Sequence, residues 1–156
     1  MNLTDYLIDQ KDYDWTVILK EWHWLLPADL TVWMVNRFGD VIFVPEDGTV
    51  NLLDIGAGTT QQLADSRDDF YALVDRDNNA DLWLLITLTD QCVAAGVTLQ
   101  PRQCYSFKIP PSLGGKYDVD NVGTLDLEVN YSLLAQIHRQ TKNLPDGTQV
   151  RFVVGE

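Results

Sequence analysis

The side chains that could act as nucleophiles, general bases or soft metal ligands are few in this sequence and lie far apart. The chain contains two histidines, His23 and His138, and two cysteines, Cys92 and Cys104. Their spacing matches no zinc site, and the hydrolase patterns GxSxG and HExxH are absent. We therefore predict no catalytic, cofactor-binding or metal-binding residue and no enzyme. Both cysteines are predicted to be buried, and His138 to lie on a helix surface.

Two segments approach known ligand-binding loops but lack residues that the chemistry needs. Gly56-Ala57-Gly58-Thr59-Thr60 places glycines before a predicted helix, but Gln61 stands where the third glycine of GxGxxG would be. Residues 75–81 supply the first oxygens of a calcium loop, but Ala80 and Ile86 replace its glycine and glutamate. We interpret the first segment as a flexible loop with a threonine cap and the second as a solvated turn between helices.

Carboxylates dominate the charge of the chain, with 23 acidic residues against 11 basic ones and a net charge of −12. Such a surface repels phosphate, so we expect no direct binding to nucleic acid or to anionic membranes, whereas a basic protein would be attracted. The alternative is that the acidity serves solubility alone. The predicted partner-binding residues are Asp65, Asp68, Asp69, Asp75, Asp77, Asp81, Lys116, Tyr117, Asp118 and Asp120.

Clusters of helices and strands must position these residues. Apolar periodicity and turn residues predict helices at 3–9, 14–26, 60–75, 81–95 and 128–142. The predicted strands are 31–37, 41–44, 49–55, 103–109, 121–127 and 149–154. Because the strands do not alternate strictly with helices, we expect an α+β fold of mostly antiparallel sheets with four to five helices packed on them.

We expect residues 1–156 to form one domain. Its expected parts are a helical part at 1–27, a β meander at 31–55, a helical pair at 60–95 and a β-α-β part at 103–154. The N-terminal segment lacks the basic and apolar regions of a signal peptide, and no apolar run is long enough to span a bilayer. We therefore expect a cytoplasmic protein.

Residues 103–117 join an aromatic strand to two prolines and two glycines, which end the strand and let the chain turn. This stretch belongs to an ordered series of short motifs. The series is Leu26-Pro27, Arg37-Phe38-Gly39-Asp40-Val41-Ile42-Phe43, Gly48-Thr49-Val50, Leu63-Ala64-Asp65-Ser66 with Phe70, Cys104-Tyr105-Ser106-Phe107, Leu113-Gly114-Gly115, Asn121, Gln136-Ile137-His138 and Leu144-Pro145-Asp146-Gly147. In order and spacing it resembles a bacterial family of type VI secretion immunity proteins, the Tdi-type C-terminal domain, formerly a domain of unknown function. The front half also resembles GAD-like and SUKH-like immunity proteins.

The resemblance implies an α+β fold, no catalysis, and tight binding of a toxin, most simply a basic DNase-type effector. Two alternatives stay open. The five tryptophans could line a pocket, as in a small-molecule or regulatory binding module. A carboxylate-dependent enzyme would need two acids that converge in a cleft with separated pKa values.

Overall fold

The computed structural model describes residues 2–145 and 147–149, and this part of the chain forms helices on two antiparallel sheets. The α-helices are α1 (Trp15–Ile18), α2 (Arg67–Val74), α3 (Asn79–Leu84), α4 (Ile86–Ala94) and α5 (Leu127–Thr141). The strands are β1 (Leu30–Val35), β2 (Val41–Pro45), β3 (Val50–Asp54), β4 (Thr59–Ala64), β5 (Gln103–Phe107) and β6 (Val122–Asp126). Short 3-10 turns lie at Leu3–Tyr6, Leu19–Trp22, Pro111–Leu113 and Val119–Asn121.

The larger sheet is a meander in the order β1-β2-β3-β4, and β5 and β6 form a separate antiparallel pair. The backbone N–H of Tyr105 donates to the carbonyl of Arg37 over 2.8 Å, which ties β5 to the turn after β1. The predicted α+β fold with mostly antiparallel sheets is confirmed. No helix among the described residues is long and apolar enough to cross a membrane.

Both faces of the larger sheet are covered, so its central strand β2 is apolar on both sides. Successive side chains of a strand point to opposite faces. Val41 and Phe43 pack in a cluster that contains residues of α1 and α5, whereas Ile42 and Val44 pack in a cluster with residues of α2 and α3. This arrangement explains why β2 is a continuous apolar run and not an alternating one.

The predicted helix at 60–75 is wrong in its first half, because residues 59–64 form β4. The chain turns at Gly58, whose φ of 72° suits glycine, and Thr59 then pairs with Asp54. Helix α2 begins after Ser66, whose hydroxyl accepts a hydrogen bond from the Asp69 N–H over 3.1 Å. The segment at 56–60 therefore turns a hairpin and opens no helix.

The predicted helix at 81–95 is divided in two by Leu85, which adopts the left-handed conformation with φ 51° and ψ 49°. Oδ1 of Asp81 accepts a hydrogen bond from the Thr87 N–H over 2.7 Å and so satisfies a free donor at the start of α4. The predicted helix at 3–9 is only a 3-10 turn at Leu3–Tyr6, and the predicted helix at 14–26 is the short α1 followed by a 3-10 turn at Leu19–Trp22. Beyond its first residue, the predicted strand at 149–154 lies outside the described residues.

Candidate functional site

The side chain of Asn36 holds the turn between β1 and β2. Its Oδ1 accepts hydrogen bonds from the N–H groups of Phe38 and Asp40 over 2.9 and 3.0 Å. Its Nδ2 donates to Oδ2 of Asp40 over 3.0 Å and to the carbonyl of Trp83 over 3.2 Å. The Tyr131 hydroxyl also donates to the carbonyl of Gly39. The Arg37-Phe38-Gly39-Asp40 motif is thus a buried turn that connects the sheet to α3 and α5.

Asp40 and Asp54 bring two carboxylates close together beside this turn. Asp40 is buried, and Oδ1 of Asp40 accepts a hydrogen bond from the Ile55 N–H over 3.0 Å. Burial and the Asp54 carboxylate raise the pKa of Asp40 to about 8. Burial also raises the pKa of Asp54, while hydrogen bonds from the N–H groups of Ala57 and Gly56 oppose the rise. Both oxygens of Asp40 are engaged by the fold, which indicates a structural role for this carboxyl group.

A cleft of about 530 Å³ opens between the larger sheet, the α3–α4 pair and the loop that carries Tyr117. We call it the acidic cleft, and its carboxylates are Asp40, Asp54 and Asp81. Its principal apolar and aromatic residues are Leu82, Trp83 and Tyr117. Among the described residues that line it, none is a lysine, an arginine or a histidine. The cleft therefore combines apolar walls with three acidic side chains.

The loop at 109–121 is built on the side chain of Asn121. Its Oδ1 accepts from the Ile109 N–H over 2.9 Å, and its Nδ2 donates to the carbonyls of Ile109 and Lys116 over 3.0 and 2.9 Å. A Cβ atom at Gly115 would overlap the carbonyl oxygen of Ile109. Tyr117 packs edge-on against Phe107, with ring centroids 5.1 Å apart. The glycines and Asn121 thus position Tyr117 at the acidic cleft.

The structure brings two of the predicted partner-binding residues, Asp81 and Tyr117, into the acidic cleft. Asp65 and Asp69 line a separate groove beside α2, together with Arg76. Six others are exposed and line neither site: Asp68, Asp75, Asp77, Lys116, Asp118 and Asp120. The sequence interpretation missed Asp40 and Asp54. Side chains alternate between the two faces of β3, so Leu52 and Asp54 point to the same face. The helices that cover this face follow later in the chain, so the pattern within β3 does not show which residues Asp54 will meet.

His138 is buried, so its predicted place on a helix surface is wrong. Its Nε2 lies 2.6 Å from the carbonyl oxygen of Ile55, to which the protonated ring nitrogen donates. A Cβ atom at Gly58 would lie 2.8 Å from Nδ1 of His138. Loss of solvent lowers the pKa of His138, although the hydrogen bond to Ile55 opposes the change. His138 therefore anchors the β3–β4 turn to α5.

Both cysteines are buried, as predicted, and neither forms a disulfide. The Sγ atom of Cys104 accepts a hydrogen bond from Nδ2 of Asn130 over 3.4 Å, and burial raises the pKa of Cys104 to about 12. Such a thiol is not ionised at neutral pH and is a weak nucleophile. Within residues 2–145 and 147–149, no three histidine, cysteine or acidic side chains are grouped so that they could hold a metal ion.

A protein-family model described as "T6SS immunity protein Tdi1, C-terminal" matches residues 64–138. The matched segment is just under half of the 156 residues, and it is similar to this immunity-protein family. The match runs from the end of β4 to His138 in α5, and it includes α3, α4 and Tyr117 of the acidic cleft. It confirms the resemblance stated from the sequence.

The fold is similar to that in the crystal structure of Atu4351 from Agrobacterium tumefaciens, with a TM-score of 0.52 and 16% sequence identity. The similarity covers 83% of this chain and 65% of that chain, so the present chain spans just under two thirds of its length. No curated protein matches the chain. At this identity the likeness to Atu4351 concerns the fold alone.

Proposed function

We propose that the protein is an immunity protein that binds and neutralises a DNase-type effector through its acidic surface. The observation that carries the proposal is the family match over residues 64–138, which includes the α3–α4 pair and the Tyr117 loop of the acidic cleft. Asp81 and Tyr117, both predicted as partner-binding residues, lie in this part of the cleft. The interaction would take place in the cytoplasm, where the DNA is.

Charge supports a nuclease as the partner. A DNase must present lysine and arginine side chains to phosphate, and an acidic inhibitor with a net charge of −12 can compete for that surface. Complementary charge also accelerates the diffusional encounter of two proteins. Fast capture suits an immunity protein, because a free nuclease damages DNA until it is bound.

The experiment is to purify the effector encoded by the neighbouring gene and to follow its cleavage of supercoiled plasmid DNA. An equimolar amount of this protein should abolish cleavage, and co-expression should restore the growth of a host that the effector alone kills. An unrelated protein of similar size and net charge serves as the control and should leave cleavage unchanged.

Two results would contradict different parts of the proposal. If the effector is toxic and is neutralised but leaves DNA intact, the DNase assignment is wrong and the immunity role stands. If the effector kills the host despite the presence of this protein, the immunity role itself is wrong for this pair.

The size of the acidic cleft favours a small-molecule or regulatory binding module as a second candidate. Its volume of about 530 Å³ lies in the range of ligand sites, and Trp83 and Tyr117 provide aromatic surface. A thermal-shift screen of metabolites tests this candidate. A ligand that raises the melting temperature of the wild type but not of Tyr117→Ala would support it, and no response from any ligand would remove it.

A further inference from the structure

We propose that the acidic cleft receives an arginine side chain of the toxin partner. The inference rests on the proposed function, because it names a contact through which the immunity protein would hold its effector.

The mouth of the cleft exposes apolar surface that a partner could cover. Leu82 is 58% exposed and Tyr117 is 51% exposed, although both line a cavity whose inner wall includes the buried Trp83. Large exposed apolar side chains that adjoin one concave site are typical of interaction surfaces. Burial of Leu82 and Tyr117 by a partner removes this surface from water and stabilises the complex.

No basic side chain of the described residues lines the cleft. The ion pairs found among the described residues, Arg102–Glu128 and Arg139–Glu21, involve none of its carboxylates. The hydrogen bond that Asp81 accepts from Thr87 uses Oδ1, and a carboxylate can accept further bonds. Asp54 lines the same cavity, so the cleft offers acidic side chains from two different elements.

An arginine fits this combination of surfaces better than a lysine does. Its methylene stem can lie along the apolar side chain of Leu82, while its planar guanidinium stacks on the ring of Tyr117. The guanidinium has five N–H donors in a fixed fork, so it can bind Asp54 and Asp81 together, whereas lysine carries a compact point charge. A phosphate-binding protein supplies such arginines on its surface.

The test is calorimetric titration of the purified effector, without DNA, into wild-type protein and three cleft variants, Asp81→Asn, Leu82→Ser and Tyr117→Ala. The Asp81→Asn variant keeps a side-chain oxygen that can accept the hydrogen bond from the Thr87 N–H, so the first turn of α4 remains capped. Each cleft variant should bind about tenfold or more weakly. The matched controls are Asp29→Asn and Val17→Ala, which are exposed residues outside the cleft, and they should bind within about twofold of the wild type.

An arginine-to-alanine scan of the effector identifies the occupant. One effector variant should weaken binding as much as Asp81→Asn does, and the two changes together should cost clearly less than the sum of the single losses. If a lysine of the effector shows this coupling and no arginine does, the assignment to arginine is overturned.

Different experimental results would contradict the inference and the proposed function. If the cleft variants bind like the wild type while Asp68→Asn on α2 weakens binding, the effector is held elsewhere and the inference is wrong, but the immunity role stands. If wild-type protein does not bind the effector, both are wrong. Circular dichroism spectra of all variants check that each one is folded.

Discussion

Nδ2 of Asn36 donates a hydrogen bond to Oδ2 of Asp40 over 3.0 Å, and this pair closes the turn at the base of the acidic cleft. Asn36 is 1% exposed and Asp40 is 7% exposed, so both polar side chains depend on hydrogen bonds within the protein. Buried polar groups lose free energy when a partner is removed, because water cannot replace it. The stability of the site therefore depends on this turn.

Replacement of Asn36 by alanine should lower the free energy of unfolding by about 3 kcal/mol or more, because several buried groups lose their partners. These groups are the carboxyl of Asp40, the carbonyl of Trp83 and the N–H of Phe38. Urea denaturation followed by circular dichroism measures the change. Asn143→Ala, at an exposed position, is the control and should stay within about 0.5 kcal/mol of the wild type. A loss below about 1 kcal/mol for Asn36→Ala would contradict this account of the turn.

The stability that Asp40 contributes should fall as the pH rises. The pKa of Asp40 is raised to about 8 in the folded protein, whereas an unfolded aspartate titrates near pH 3.9. Between these values the folded state holds a proton that the unfolded state does not. The contribution is therefore complete below about pH 4 and is lost as the pH passes about 8. The raised pKa of the neighbouring Asp54 acts in the same direction.

The measurement is the free energy of unfolding of wild type and Asp40→Asn from pH 4 to pH 9. The wild type should lose stability relative to the variant as the pH rises. Asp29→Asn removes an exposed carboxylate and should run parallel to the wild type over the same range. A wild type that gains stability relative to Asp40→Asn with rising pH would show that the pKa of Asp40 is lowered instead.

Gly115→Ala should destabilise the loop that presents Tyr117, because the added methyl group meets the carbonyl oxygen of Ile109. We expect a loss of about 1–3 kcal/mol, in the range of overpacked sites. Gly123→Ala is the matched control, since a Cβ atom there has no neighbour within 4 Å. Thermal unfolding of both variants makes the comparison. Equal melting temperatures for the two variants would mean that the loop accommodates the methyl group.

The association rate of the protein with its effector should fall steeply when salt is added, because like-signed carboxylates steer a basic partner over long distances. Salt shortens the Debye length to about 8 Å at 0.15 M and screens this attraction. Stopped-flow association at several salt concentrations gives the slope, and the dissociation rate should change much less. The triple variant Asp65→Asn, Asp68→Asn, Asp69→Asn should show a shallower slope. An association rate that is independent of salt would argue against a basic partner.

The local elements of this protein could be predicted from the sequence because their signals lie within a few residues. The apolar run at Val41–Pro45, the turn at Gly48 and the periodicity of α5 each determine one element by themselves. The ordered motifs also predicted the resemblance to the immunity-protein family, which the match over residues 64–138 confirms. The Ser66 cap of α2 was a local signal too, since a serine followed three residues later by an acidic residue is typical of a helix start, but the interpretation of 60–75 as one helix overlooked it.

The tertiary structure decided which residues meet. Residues 59–64 pair with β3, and no apolar periodicity within this segment predicts that pairing. His138 is polar and lies among exposed helix residues in the sequence, yet the turn at Gly58 and the carbonyl of Ile55 cover it. Burial of such a side chain depends on a partner segment far away in the chain.

For the candidate site too, the sequence determined the general character and the tertiary structure determined which residues meet. The composition alone determined a strongly acidic protein without the constellations of common enzymes. Only the tertiary structure brought Asp40 of the β1–β2 turn, Asp54 of β3, Asp81 of α3 and Tyr117 of the 109–121 loop into one cleft. The physical reason is that the pattern of apolar and polar side chains along the chain specifies which face of each helix or strand is apolar. Which faces pack together is set by the free energy of the whole core, to which distant segments contribute.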